Sequence, residues 1–398
     1  MASTQTASRF LIAGAGIGGL SAAIALARDG TPIQVLERAK THSTHGAGIQ
    51  LGPNATKILD DWGVLERLSS KAVISEGIAI GDGLTGEHLA TVPFGEAARR
   101  RYGAPFLLVH RHDLHQALAE TARDLPGVEI TMDCEVLAYK QSPDEIDLTT
   151  TKGSVCGRAL IAADGLWSRL RPQIDAGVAL QFTGKTAWRT LVDPGDLPEP
   201  LRGPQTGLWF GKGAHLVHYP VCGGEKINVV AVARERSGER AEGWNQEADP
   251  QSLLTCFESW DEGVAHIVRS GAAWRKWSLY YHPPLRAWTH GSVTMIGDAA
   301  HPVLPFLAQG GGLAIEDAAV LVKVLKEFDG DPAHAFRQFE RVRIGRTSRT
   351  GYESRRMGKI YHMGGVLRLA RNFILRRQSP ETLLKRLDWL YRFGADTG

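Results

Sequence analysis

No uninterrupted apolar stretch in this chain approaches the length of a membrane-spanning helix, so none is expected. The N-terminal MASTQTASRF also lacks the basic, apolar and small-residue order of a secretory signal, which makes a cytoplasmic location the expectation. Cysteine is scarce. Cys134, Cys156, Cys222 and Cys256 are scattered without CxxC spacing, which argues against a disulfide scaffold, a zinc site or a redox dithiol, and no metal is expected. An excess of one charge is missing too: 46 basic and 43 acidic residues leave a net +3, which gives no reason to expect a nucleic-acid partner. Internal repeats and low-complexity linkers are absent. What remains is 398 residues at 43% hydrophobic content, enough for a large core in about two or three domains.

The most informative segment follows the first apolar run. Phe10 to Ala13 (FLIA) reads as a buried parallel strand, too short for a buried helix and ended abruptly by glycine. In GAGIGG, Gly14 permits a tight turn, Gly16 lets backbone amides approach a pyrophosphate, and Gly19 lets the next helix pack close to the strand. Ile17 and Gly18 begin that helix, and Ile17, Leu20, Ile24 and Ala27 recur at helical spacing, so its positive dipole end faces the phosphates. Thr31 to Leu36 is a second strand. It ends in Glu37, about 20 residues after the glycines, where a carboxylate can accept both hydroxyls of an adenosine ribose. A carboxylate there disfavours a 2'-phosphate, so the site should hold FAD or NAD rather than NADP.

Two more turns follow apolar runs. Leu160 to Ala163 is a buried strand that stops at Asp164-Gly165, and Ser292 to Ile296 is one that stops at Gly297-Asp298. Between the first strands and these turns, Leu107 to His110 reads as a strand entering a helix at Arg111, and Val128 to Tyr139 as a β segment. Leu148 to Ala163 is expected to continue the same sheet as a hairpin. From Phe182 to about Ala233 the chain turns β-rich and aromatic, with segments Thr186 to Val192, Leu208 to Phe210, His215 to Val221 and Ile227 to Ala233. Leu253 to Val268 is expected to be helical, as are Gly312 to Leu325 and everything beyond about Pro332. The expected division is a dinucleotide-binding domain over 1–180 and 286–330, a β-rich domain over 181–285 and a helical region over 331–398. The fold class is α/β, with a Rossmann-like domain and an interleaved β-rich domain.

The C-terminal region is basic: Arg341, Arg343, Arg346, Arg349, Arg355, Arg356, Arg368, Arg371, Arg376 and Arg377. A solvated helix face or a subunit contact is the expectation, with a homodimer as the assembly considered and a lipid or polyanion site as the alternative. Gly211 to Gly213 (GKG) lacks the third glycine and precedes a β pattern, so a nicotinamide nucleotide would bind transiently in a groove.

GAGIGG with Glu37-Arg38, GAGIQLGPN at 46 to 54, Arg111 in HRHDLHQAL, DGLWSRLR at 164 to 171 and GDAAHPVLPFLAQGGGLAIEDA at 297 to 318 together resemble the single-component FAD-dependent aromatic hydroxylases. The nearest likeness is to the 3-hydroxybenzoate 6-hydroxylase and salicylate hydroxylase group. The resemblance implies a p-hydroxybenzoate hydroxylase-like fold, one FAD, and NADH or NADPH as hydride donor. It implies hydride transfer to flavin N5, oxygen addition at C4a to give a hydroperoxide, and attack on the distal oxygen by an electron-rich phenol. By position it puts Glu37, beside Arg38, on the adenosine ribose, Arg111 on the pyrophosphate region and Val136 on the adenine. Asp164 with Gly165 would bridge flavin and nicotinamide functions, and Asp298 with Gly297 would hold the ribityl chain. Gln309 to Gly312 reads as a glycine-rich turn directly before a helix, so the amides of Gly310, Gly311 and Gly312, ahead of Leu313, can face the flavin N1 and C2 carbonyl.

For the aromatic substrate, strand alternation puts His215, Val217 and Tyr219 on one face and His218 on the other. The resemblance turns His215 toward the substrate as proton acceptor or orienter and Tyr219 as hydrogen-bond donor. Gln50 stands where hydroxynicotinate-type relatives carry histidine, and Pro305 replaces a glutamine that can lie near the phenol, which leaves the position of attack open. Arg189 in TAWRT is a candidate partner for a substrate carboxylate or for the flavin edge. The alternatives are a flavin oxidase or reductase of the same fold, and a hydroxylase of a heteroaromatic acid such as a hydroxynicotinate.

Overall fold

The computed structural model describes residues 9–41, 47–235 and 246–393; residues 1–8 of the N-terminal stretch, and Gly46 of the GAGIQLGPN loop, lie outside them. Phe10–Ala13, Ile33–Leu36 and Ala159–Ala162 are buried at every position. Continuous apolar strands of this kind belong in a sheet covered on both faces. They form the middle of a six-stranded sheet whose order is Thr289–His290, Val293–Met295, Ala159–Ala162, Phe10–Ala13, Ile33–Leu36, Val128–Thr131. All pairings are parallel except the one at the Thr289–His290 edge. The helix Ile17–Arg28 packs against Gly310–Glu327 and against Arg111–Asp124.

The stretch expected as one β segment, Val128 to Tyr139, is two strands in two sheets. Asp133 adopts a left-handed backbone, φ 58°, and turns the chain out of the main sheet. Val136–Gln141 then pairs with Ile146–Thr150, and that strand with Gly153–Gly157, in a separate antiparallel sheet; only Ala159–Ala162 returns to the first. The helical stretch Leu253 to Val268 is likewise two helices, Gln251–Phe257 and Glu262–Arg269. Asp261 starts the second by accepting hydrogen bonds from the Gly263 and Val264 amides.

The aromatic β segments form an eight-stranded sheet ordered Gln246–Glu247, Arg275–Tyr281, Gln181–Val192, Lys226–Arg234, Ala214–Val221, Thr206–Gly211, Gly77–Asp82, His88–Pro93. Two of its strands come from residues 77–93, ahead of the 181–285 stretch, and Gly77–Asp82 joins in parallel to Thr206–Gly211. The GKG segment is the turn of the hairpin between Thr206–Gly211 and Ala214–Val221. The sheet has two apolar faces. Tyr219 belongs to the same core as Phe210, Phe306 and Tyr361, while Leu216 on the opposite face belongs to another with Trp188, Phe257 and Trp260.

Helices Pro332–Tyr361, Gly365–Arg376, Pro380–Lys385 and Asp388–Tyr391 complete the described chain. They overturn the reading of a solvated face for Arg343, Arg346, Arg368 and Arg371, whereas Arg341, Arg349, Arg356, Arg376 and Arg377 are exposed. Arg343 is fully buried; its Nε donates to Asp317 at 2.7 Å and its Nη1 to Glu316 at 2.9 Å. Arg346 donates to Glu316 through Nε at 2.7 Å, and Arg368 grips buried Asp82 at 2.7 and 2.9 Å. Arg371 is also buried and donates to the carbonyls of Ile360 and Tyr361. These arginines fold inward because their acidic partners lie on core elements, where unpaired charge would be far costlier than on the surface.

Arg343→Met is expected to lower unfolding free energy by about 3–5 kcal/mol, because two carboxylates would lose a guanidinium in the interior. Chemical denaturation checks this, and a loss under about 1 kcal/mol would contradict it. Burial alone would raise the Asp317 carboxyl, but His301 and Arg343 outweigh it and hold the group at about 2. Its contribution to stability is therefore complete above the ordinary carboxylate value of about 4 and is lost as pH falls toward 2.

Candidate active site and cofactor cleft

Each of four neighbouring parallel strands ends at a residue that the sequence singled out. Phe10–Ala13 ends at Gly14, Ile33–Leu36 at Glu37, Ala159–Ala162 shortly before Asp164, and Val293–Met295 shortly before Gly297 and Asp298. These ends surround a cleft of about 400 Å³, lined by Gly14, Gly16, Glu37, Arg38, Arg111, Val136, Asp164, Gly165, Arg189 and Asp298 among others.

The glycines divide the labour as expected. Gly14 takes φ +102°, and a β-carbon there would stand 2.6 Å from the Ala163 carbonyl oxygen. A β-carbon on Gly19 would lie 1.9 Å from the Gly14 carbonyl oxygen, so only glycine lets the helix approach its strand. Gly16 is the reverse case. No atom lies within 4 Å of where its β-carbon would be, so the space faces the cleft instead of the protein. Gly18 lies against Ala314, and Ile17 against Gly311, on the Gly310–Glu327 helix.

Glu37 Oε2 accepts the Ala15 amide at 2.6 Å and Oε1 accepts the Ala39 amide at 2.8 Å. The carboxylate is thereby fixed across the glycine turn, with lone pairs left on both oxygens for a ribose diol. Asp164 Oδ2 accepts the amides of Arg169 and Leu170, at 2.9 and 3.3 Å, while Oδ1 is buried without a partner among the described residues. Burial raises the Asp164 carboxyl, against the pull of Ser168 and the local amides. Burial also raises Asp298, opposed by His301, Arg111 and Arg171. Buried acceptors of this kind call for hydroxyl or amide donors.

Gly310, Gly311 and Gly312 are not a turn before a helix, as the sequence suggested, but the first turn of the helix Gly310–Glu327. Without side chains its amide donors stand bare. Asn54, from the quoted loop, holds this end by donating to Gln309 at 3.1 Å and Glu316 at 2.6 Å, and Asp317 accepts the Gly297 amide at 2.9 Å. Leu313 is buried in the core.

Two further residues, one lining the cleft and one bracing it, were not singled out in the sequence. His115 lines the cleft with its Nε2 2.7 Å from the Ala15 carbonyl oxygen, and its place four residues after Arg111 on one helix was the available signal. Arg171 joins the second motif to the third, donating to the carbonyls of Leu166 and Ala299, each at 2.8 Å. Nothing local in DGLWSRLR reveals that bridge.

Beyond the cleft lies the eight-stranded sheet. Arg189 touches both regions: it lines the cleft, and its guanidinium lies 4.9 Å from the Trp277 ring centroid. Burial, then Arg111 and Arg275, lower its pKa to about 10, which still leaves it cationic at neutral pH. Tyr219 is buried beside it and hydrogen-bonds Gln50; burial raises the phenol. His215 lies roughly 13 Å along the same strand face. It is buried, with Nδ1 2.8 Å from His362 Nε2 and its ring against Phe306 and Tyr361. Pro305 itself is exposed, and Phe306 is the residue of its turn that meets His215. His218 faces the other way, where Trp209 Nε1 donates to it at 3.4 Å; burial lowers it to about 4, in keeping with a structural role.

These residues fit FAD. Glu37 would take the ribose, the amides around Gly16 and the Arg111 guanidinium the pyrophosphate, Asp298 and Asp164 the hydroxyl-bearing linker, and the amides of Gly310–Gly312 the ring. Gly16→Ala is expected to leave the apoprotein's melting temperature nearly unchanged, because the methyl meets open space, yet to weaken FAD binding at least about tenfold, or 1.4 kcal/mol. Fluorescence titration checks this, and wild-type affinity would contradict it.

The FAD binding domain model matches residues 8–334. The chain is 37% identical to a 3-hydroxybenzoate 6-hydroxylase of Polaromonas naphthalenivorans, covering 96% of this chain and 95% of that one. It is 36% identical to a 3-hydroxybenzoate 6-hydroxylase of Klebsiella oxytoca, covering 98% and 97%. Among solved structures, an HpxO variant of Klebsiella pneumoniae in complex with FAD superposes with a TM-score of 0.85 at 26% identity, covering 96% and 98%. No helix among the described residues is long and apolar enough to cross a membrane. With its cleft built for the dinucleotide and relatives of this kind matching over nearly its full length, the chain belongs to the FAD-dependent aromatic monooxygenases of the FAD binding domain family.

Proposed function

We propose that the protein hydroxylates a phenolic aromatic acid of the 3-hydroxybenzoate or salicylate class, with NADH or NADPH as hydride donor and O2 as co-substrate. The observation that carries this reading is Arg189, a cation shared between the flavin cleft and the sheet face that holds Tyr219 and His215. A benzoate carboxylate would pair with Arg189, as charge-assisted hydrogen bonds favour. Tyr219, held by Gln50, would donate to a ring substituent, and His215 would take the phenolic proton, which makes the ring more electron-rich. FAD, once bound, would supply the redox chemistry that links NAD(P)H oxidation to insertion of one oxygen atom of O2. Phe306 and Tyr361 pack their rings against His215, so a substrate there would meet apolar surface that excludes water, with the exposed Pro305 on the same turn as Phe306.

The same proposal divides the chain into the dinucleotide-binding parts 1–180 and 286–330, the substrate-facing part 181–285, whose sheet also takes in the strands of residues 77–93, and the helices 331–398. It includes a homodimer, supported by the exposed Val366, Leu367, Leu369, Phe373 and Ile374 of one helix. Cytoplasmic residence is supported by four cysteines, none of which forms a disulfide among the described residues.

With 3-hydroxybenzoate and salicylate as probes under labelled O2, at least one is expected to stimulate NAD(P)H oxidation and to gain one labelled oxygen. Nucleotide oxidation that yields peroxide and no labelled aromatic product would contradict the reading and favour an oxidase. Arg189→Met is expected to raise KM for the aromatic acid by about tenfold to a hundredfold, the equivalent of one lost charged hydrogen bond. An unchanged KM would remove Arg189 from the substrate site.

A further inference from the structure

We propose that His215 and His362 form a two-imidazole proton wire, which takes the phenolic proton from the substrate at His215 and releases it at His362. The inference rests on the reading that a phenol lies against His215. His362 ends the long helix Pro332–Tyr361 and reaches the strand Ala214–Val221 across 147 residues of sequence, with its Nε2 2.8 Å from His215 Nδ1. Its own carbonyl is held by the Gly213 amide at 3.2 Å, so the contact is braced from both elements.

The surroundings explain why one histidine would not suffice. Phe306 and Tyr361 wall His215 at ring-centroid distances of 5.4 and 5.3 Å, and the Tyr361 hydroxyl is committed to the Phe306 carbonyl at 3.0 Å. The charged groups nearby are cations. Lys185 Nζ sits 5.1 Å from the Phe306 ring centroid, Arg234 and Lys359 lie near Lys185, and Lys212 packs against Gly364. Burial, followed by His362 and Lys185, depresses His215 well below the usual imidazole value; burial, followed by Lys185 and Arg234, depresses His362 to about 3. An imidazolium in this place is disfavoured on every count. A lone His215 holding the phenolic proton would be a poor base.

Two neutral imidazoles in contact share a single N–H, and that allows transfer without leaving charge behind. The phenolic O–H breaks as His215 Nε2–H forms. His215 Nδ1–H breaks as His362 Nε2–H forms, and the proton on His362 Nδ1 passes to water. No electrons change hands, one proton leaves, and both rings end neutral with their tautomers exchanged. The reverse passage reprotonates the product phenol and resets the pair. A second observation concerns the far end: His362 Nδ1 is buried with no protein partner among the described residues, so no side chain there competes with water for its proton. Such an atom is costly unless it is used.

The test follows formation of the phenolate absorption when 3-hydroxybenzoate is mixed anaerobically with the oxidised holoenzyme, in mixtures of H2O and D2O. Two protons in flight should give a bowed dependence on deuterium content; a straight line, or no ionisation at all, overturns the wire. His362→Asn keeps an acceptor for His215 but carries no proton. In that variant, at wild-type FAD content, phenolate formation should slow at least about tenfold at neutral pH, within the range of lost acid–base catalysis. KM should stay within about threefold, and the rate should recover as pH approaches about 10, where a phenol ionises unaided. A wild-type rate in His362→Asn overturns the wire. If His362→Asn fails to hold FAD, the isotope dependence of the wild type decides. His215→Asn separates the two levels: unchanged product formation there defeats the substrate reading itself, whereas loss there with wild-type behaviour at His362→Asn defeats only the wire.

Discussion

Parallel pairing of four adjacent strands is the constraint on which everything else depends. Because Val293–Met295, Ala159–Ala162, Phe10–Ala13 and Ile33–Leu36 all run the same way, their carboxyl ends emerge on one edge, about 4.8 Å apart from strand to strand. Asp298, Asp164, Gly14 and Glu37, which span most of the sequence, thereby meet around one cleft. Open parallel sheets bind their ligands at this edge, and here Gly14 and Glu37 define its geometry through the Ala15 amide. Had any one strand been antiparallel, its motif would lie at the opposite edge.

The helices supply what a sheet edge cannot. Ile17–Arg28 begins at the cleft and Gly310–Glu327 begins beside Asp298, and their amide-bearing ends favour negative charge. The second helix is held from behind by Arg343 and Arg346 on Glu316 and Asp317, and from the front by Asn54. The C-terminal arginines thus serve the cofactor site at a distance: they fix the helix whose first turn would meet the flavin ring. Arg189 and Arg111 add positive charge on the cleft side, which favours anionic groups there.

Much of this was legible in the sequence because the signals were local. FLIA, ALIA and the glycine pattern needed only their neighbours, and alternation along His215, Val217 and Tyr219 assigned the correct face. What was not legible depended on partners far along the chain. Whether Val136–Gln141 stays in the main sheet is decided by the reversal at Asp133, and nothing in the composition distinguishes that from continuation. Arg343, Arg346 and Arg368 look solvent-facing until Glu316, Asp317 and Asp82 are found opposite them. His362 follows a helix end with no pattern of its own, and only the fold brings it to His215. Glycines 310 to 312 were read as a turn from propensity, but the packing of Gly18 and Ile17 against that helix extends it to Gly310.

The central claim is that one FAD occupies the cleft formed by the four strand ends. Its most direct test is the visible absorption spectrum of the purified chain after incubation with FAD and removal of the excess. One equivalent of bound flavin per chain is expected, falling sharply when Glu37 is replaced by alanine; a colourless protein, or full flavin occupancy in Glu37→Ala, would contradict it.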